Sequence, residues 1–186
     1  MLKRIFAVFA VLLLPLSGVV LAKTPTPGTS TTAGAKSSPA NAVLGLWTTP
    51  NDKSRVRIYK TADGKYQGRI VWLKQPDYPA NFHKKSLAGK PKLDIHNPKK
   101  VLRSRPVMGM DVLTGFKYSP SNHDWRKGKC YDPEEGKTYT CRMWLKGNNT
   151  LMVRGYVWIF HKTQEWHRYT PPAAVTAAAA ATVQQR

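Results

Sequence analysis

The clearest alternation of apolar and polar positions in this chain lies at residues 55–60. Val56 and Ile58 fall on one face there, and Arg55, Arg57 and Tyr59 on the other, the pattern of a half-buried strand. Residues 61–65 read Thr-Ala-Asp-Gly-Lys, a hairpin turn with Asp63-Gly64 at its tip. The run that follows, 66–73, is rich in β-branched and aromatic side chains. Beyond a long loop, further strands are predicted over 106–118, 125–132, 137–145, 151–160 and 164–169. With the segment around Trp47 the total is about eight strands. Their even spacing and turn-rich links predict an all-β, antiparallel meander, closed into a barrel or folded as a sandwich. A sustained helical period is absent outside the apolar N-terminal run and the Ala-rich C-terminal tail.

Those two ends bound the domain. Lys3 and Arg4 precede an apolar core from Ile5 to Leu14, and Val20 and Ala22 are small residues at the positions a signal peptidase reads. Residues 1–22 are therefore expected to be a signal peptide cleaved near Ala22. An uncleaved anchor is the alternative, but the apolar run is short for a full span and Pro15 and Gly18 interrupt it. Residues 23–42, rich in Thr, Ser, Pro, Gly and Ala, offer little apolar surface to offset ordering and read as a flexible linker. Residues 171–186 form a low-complexity tail. One domain, 43–170, remains, long enough for a single core. The expected location is the periplasm of a Gram-negative bacterium, or the exterior, with no membrane span after cleavage.

Charge narrows the partners. The chain carries 30 Lys and Arg against 10 Asp and Glu, a formal +20. Removal of the signal takes Lys3 and Arg4 and no acid, which leaves +18. Such a field attracts lipid phosphates, acidic polysaccharide, nucleic acid or acidic protein. Export argues against nucleic acid and for an anionic envelope surface or an envelope protein complex. A charge common to the whole proteome is the plainer alternative.

The two cysteines, Cys130 and Cys141, flank one hairpin. Asp132-Pro133 opens its turn and Gly136 closes it in the left-handed conformation. If Asp132 faces Lys137, Cys130 faces Tyr139 and Cys141 is the diagonal neighbour; a one-residue bulge would set the cysteines directly opposite. An oxidising compartment and this placement favour a disulfide.

Residues 94–113, 125–141 and 151–160 resemble the three motif blocks of the bacterial DUF2147 family. The matching positions include Asp94, Asn97-Pro98, Leu102-Arg103, Arg105-Pro106, Gly109, Trp125, Tyr131-Asp132-Pro133 and Arg154-Gly155-Tyr156. The resemblance implies an exported, lipocalin-like (calycin-type) up-and-down barrel and brings with it no accepted activity or catalytic residues. The Gly45-Leu46-Trp47 triplet fits the pattern that opens many such barrels. In them the Trp plugs the closed end under a late-strand Arg, a place Arg154 or Arg168 can take here.

Chemistry is sparser. Pro106 biases Arg105 toward an extended conformation, so Arg103 and Arg105 can point the same way as a two-pronged anion site. The competing role is a brace, paired with Asp94 or Asp132. Lys84, Lys85, Lys90, Lys92, Lys99 and Lys100 are expected to face solvent and any acidic partner. Asp94 and Asn97 read as turn residues. The five histidines show no recognised ligand spacing, although His161 and His167 can meet across a turn; no metal and no cofactor are expected. The ten acids form no convincing pair and no nucleophile motif occurs, so an enzyme is not expected. The candidate ligand residues are Arg103, Arg105, Lys99, Lys100, Trp47, Arg154 and Tyr156. Two functions fit: a barrel that binds an amphipathic or anionic envelope molecule, and an assembly accessory that holds no small ligand. The six tryptophans either fill the barrel or line a cavity; Trp158 and Phe160, if both are outward, make a partner patch.

Overall fold

Eight strands follow one another in chain order around a closed barrel, each antiparallel to its neighbours. The computed structural model describes residues 38–172. The strands are β1 (Gly45–Thr48), β2 (Ser54–Lys60), β3 (Tyr66–Leu73), β4 (Asp111–Ser119), β5 (Asp124–Asp132), β6 (Lys137–Lys146), β7 (Thr150–Val157) and β8 (Phe160–Arg168). Pairing of Trp47 with Arg168 and Thr48 with His167 joins β1 to β8. The sheet thus has no free edge, and the barrel is chosen over the sandwich. The expected signal peptide (1–22), most of the expected linker and the tail from 173 onward lie outside the described residues.

One end is packed shut. Trp47, Phe116 and Met143 are fully buried there, with Tyr66 and Trp125 close behind. Each polar tip among these aromatics has a partner in the entering chain. Trp47 Nε1 donates to Val43 O at 2.8 Å, Trp125 Nε1 to Ala40 O at 3.1 Å, and the Tyr66 hydroxyl to Asn41 Oδ1 at 3.1 Å. The ordered domain therefore starts before residue 43. Residues Pro39–Asn41, within the stretch expected to be linker, form a 3-10 turn beneath the barrel. Arg168, not Arg154, covers Trp47, with its guanidinium 4.2 Å from the ring. It also donates to Ala42 O, Leu44 O and Asn148 O. Gly45 is required at this crossing: it sits at φ +121°, and a Cβ would lie 3.1 Å from Arg168 Nη1.

The alternation at 55–60 holds, with Val56 and Ile58 inside. Three strands, β4, β7 and β8, differ from their expected limits by more than a residue, and β8 starts at Phe160 instead of 164. The stretch 106–110 belongs to the long loop, because Gly109 turns the chain at φ +83° and β4 begins at Asp111. The apolar run to residue 160 is not one strand. It folds over at Trp158-Ile159, so that Val157 pairs with Phe160 across a two-residue turn. Apolar character alone read as buried strand; here it marks an exposed hairpin tip.

The Cys130–Cys141 disulfide forms without the one-residue bulge. Cys130 faces Tyr139, Gly128 faces Cys141, and the bond runs on the diagonal with Cα atoms 5.9 Å apart. It closes a short loop in the barrel wall, for which about 2–3 kcal/mol is the usual stabilisation.

Candidate functional site

The other end of the barrel is open. A cavity of about 1360 Å³ runs from the interior to the rim. Its inner walls are the inward positions of several strands: Val56 of β2, Ile70 of β3, Val112 of β4, Val153 and Gly155 of β7, and Trp166 of β8. Gly155 widens the space, because it contributes no side chain to the wall. The disulfide forms another part of that wall. Polar groups inside are few, and the Trp166 indole is satisfied by donating to Gln164 Oε1 at 2.9 Å.

Rim residues are of mixed polarity. Tyr78, Phe82, Leu93 and Ile95 of the long loop extend the apolar wall, and Lys53, Lys92 and Lys162 stand at the same mouth with Glu134 and Glu135. Lys53 Nζ lies 3.0 Å from Glu134 Oε2. The Tyr139 hydroxyl donates to Glu135 at 2.6 Å. That bond and Lys137 hold the Glu135 carboxyl below the usual carboxylate range.

The loop of residues 74–110 is tied to the barrel by one buried carboxylate. Asp94 has no solvent exposure. Its Oδ1 accepts from the Tyr131 hydroxyl at 2.5 Å, and its Oδ2 from Asn97 Nδ2 and Arg105 Nη2, each at 2.7 Å. Burial and the Asp94 carboxylate push the Tyr131 hydroxyl up to about 12. A second tie is steric. Gly136 lies against the His96 carbonyl at φ +67°, where any side chain would collide with the loop backbone.

The raised tyrosine gives a pH dependence with a defined sign. Unfolded Tyr131 ionises near its ordinary 10.0, folded Tyr131 only near 12. The folded state thus retains the proton longer. Its stabilisation is complete below pH about 10 and is lost as pH rises toward 12. Tyr131→Phe is expected to flatten that part of the alkaline denaturation curve; an unchanged slope would mean other groups set it.

The candidate ligand residues are not brought into one place. Trp47 is in the closed base. Arg154 and Tyr156 lie on the outer face of β7, where Arg154 Nε donates to Thr163 Oγ1 and its guanidinium stands 5.0 Å from the Trp144 ring. Arg103 has helical backbone angles (φ −69°, ψ −19°), so the extended fork does not form. Its Nε donates to Asn97 O at 2.8 Å, while Arg105 takes Asp94. Both arginines brace the loop. Asp132 serves its own turn, accepting from Glu134 N at 2.8 Å. Lys99 and Lys100 are exposed, as are Lys84, Lys85 and Lys90, whereas Lys92 is half-buried at the mouth. His161 and His167 both lie on β8 and do not face each other across a turn. The cavity liners were missed as a site, although strand alternation already set Val56 on one face with Ile58.

A closed, up-and-down barrel of eight strands with a plugged base and an open, apolar mouth defines a lipocalin-like fold. Among solved structures, protein HP1028 from the human pathogen Helicobacter pylori, which belongs to the lipocalin family, is 24% identical to this chain. The match has a TM-score of 0.54 and covers 68% of this chain and 82% of that one. No curated protein matches the chain. The family model of DUF2147, described as an uncharacterized protein conserved in bacteria, matches residues 45–168. The chain belongs to that family, as its motif blocks indicated.

Proposed function

We propose that this protein is an exported, non-enzymatic binding module that holds one amphipathic envelope molecule. The molecule's apolar chain lies in the barrel and its polar or anionic head lies at the mouth. The carrying observation is the cavity of about 1360 Å³, walled mostly by apolar side chains and bordered by Lys53, Lys92 and Lys162 together with Glu134 and Glu135. Small-molecule sites are typically apolar concavities of roughly 300–1,000 Å³ with a few placed polar groups, and this one continues beyond that size into the rim. Apolar walls provide affinity for a hydrocarbon chain through burial. The lysines fix which end stays at the surface, because a charged head cannot enter the barrel without a partner.

Export is supported by the disulfide, which persists in oxidising compartments, and by the signal-like start of the sequence. The bacterial family is compatible with a periplasmic location. Among the described residues no helix is long and apolar enough to cross a membrane. The test is native mass spectrometry, with lipid extraction, on protein purified from its own cells without strong detergent. A stoichiometric amphipathic molecule is the expected result. A barrel that arrives empty and also fails to take up 11-(dansylamino)undecanoate would overturn the reading and favour the assembly accessory.

A further inference from the structure

The hairpin between β7 and β8 ends in four consecutive exposed apolar residues. Val157 is 55% exposed, Trp158 89%, Ile159 70% and Phe160 69%. Local backbone preference does not account for them. Trp158 occupies the first central position of a two-residue turn at φ +51°, where hairpins favour glycine because L side chains are strained there. Nor does packing account for them, since none of the four belongs to the core cluster.

Their position links them to the cavity. Val157 and Phe160 line its mouth, and the long loop forms another part of the same rim. That loop, residues 74–110, carries nine Lys and Arg against two Asp. One of the two, Asp94, is buried and bound to Arg105. Lys84, Lys85, Lys90, Lys99 and Lys100 are exposed. An apolar projection and the long loop therefore border one opening, the loop through Tyr78, Phe82, Lys92, Leu93 and Ile95, and those five exposed lysines lie elsewhere on the same loop.

We propose that the Trp158–Ile159 tip inserts into an anionic phospholipid bilayer, setting the open mouth of the barrel against the membrane. Tryptophan favours the interface between headgroups and hydrocarbon, where its ring is buried and its indole N–H stays wet. The basic loop supplies the long-range attraction: anionic leaflets draw clustered lysines, and burial of apolar side chains then holds the contact. Charge complementarity selects anionic over zwitterionic lipid. Size disfavours a protein partner, since a stable protein interface needs about 800 Å² a side and a projecting tip of four residues presents much less. Docking depends on the rim and not on cargo, so it goes beyond the cavity reading and does not require it.

The test uses the processed protein from its own cells with sedimentable vesicles of phosphatidylglycerol and phosphatidylethanolamine, against phosphatidylcholine alone. Binding is expected only to the anionic vesicles. Trp158→Ser with Ile159→Ser should weaken it about tenfold or more, and Lys84→Glu with Lys85→Glu should also reduce it. Trp158 and Ile159 do not line the cavity, so uptake of the dansyl fatty acid by the tip variant should be unchanged. Brominated lipid should quench a blue-shifted emission component in the wild type that is missing from Trp158→Phe, which still binds. Gly155→Phe, which plugs the barrel, should dock as the wild type does, so failure of the cavity reading and failure of docking are separable. Equal vesicle binding by the tip variant would overturn the proposal. So would an unshifted Trp158 emission, or self-association that disappears with the tip substitutions, which would make a second copy the occupant.

Discussion

Replacing Gly155 with phenylalanine is expected to lower uptake of 11-(dansylamino)undecanoate about tenfold or more while leaving the barrel folded. Gly155 is an inward position of β7 and part of the cavity wall. A Cβ built there meets Cys141 Sγ at 3.5 Å and Tyr139 Cβ at 3.6 Å, ordinary contact distances. Its backbone is also one that any residue adopts, because it is absent from the positive-φ glycines. A larger side chain can therefore enter the cavity instead of distorting the strand. Every methylene of ligand it displaces gives up about 0.8 kcal/mol of burial, so two displaced methylenes already account for the tenfold loss. Gly155→Ala is the control and should retain most of the uptake. Titration of the dansyl probe, with circular dichroism melts of all three proteins, checks the result. Full uptake by a folded Gly155→Phe protein would place the ligand elsewhere.

Removal of the Asp94 carboxylate should have the largest effect on stability. Asp94→Ala is expected to destabilise the fold by about 3 kcal/mol, in the range for breaking a buried ion pair. Three donors lose their acceptor together: the Tyr131 hydroxyl, Asn97 Nδ2 and Arg105 Nη2. The Arg105 side chain is 39% exposed, so water recovers part of its loss and keeps the cost below the upper end of that range. Tyr131→Phe, which removes the bond to Asp94 and the one that Tyr131 accepts from Asn97 Nδ2 but leaves Arg105 paired, should cost about 1–2 kcal/mol. Urea titration measures both, provided the slope m stays constant. A loss under about 1 kcal/mol in Asp94→Ala would mean that apolar contacts around Tyr78 and Leu93, not the carboxylate, hold the loop. The two predictions also interact in function. A freed loop would open the mouth, so Asp94→Ala should release the dansyl probe faster than the wild type.

How much of this was legible differs from residue to residue. Val56 and Ile58 against Arg57 and Tyr59 fixed the inward face of β2, because side chains alternate strictly along a strand. The Asp132-to-Gly136 turn fixed the register of β5 on β6, and that register carried the diagonal pairing of Cys130 and Cys141. These are local consequences of backbone geometry. The hairpin tip at Trp158 was less legible, since an apolar run is equally compatible with burial until a turn is found inside it. The arginines of the long loop were legible as a pair of roles but not as a choice between them. Which carboxylate Arg105 meets depends on a contact across 11 residues, and Tyr131 joins it from 37 residues away.

The sequence by itself determined the strand number, the antiparallel order, the Asp63-Gly64 and Asp132-to-Gly136 turns, the disulfide and the family, because each rests on short-range spacing or on an ordered set of motifs. Tertiary structure alone decided the rest. Closure of β1 on β8 settled for the barrel, which the family resemblance implied and strand spacing left open against a sandwich. Arg168, 121 residues from Trp47 in the chain, took the place that Arg154 also fitted. Glycine at 155 and side chains from β2, β3, β4 and β8 produced one cavity, since volume is a property of walls that meet and no single strand contains it. The same closure set the basic loop and the exposed tip at one rim. Interactions of that kind depend on which distant residues share a surface, and spacing along a chain does not specify that.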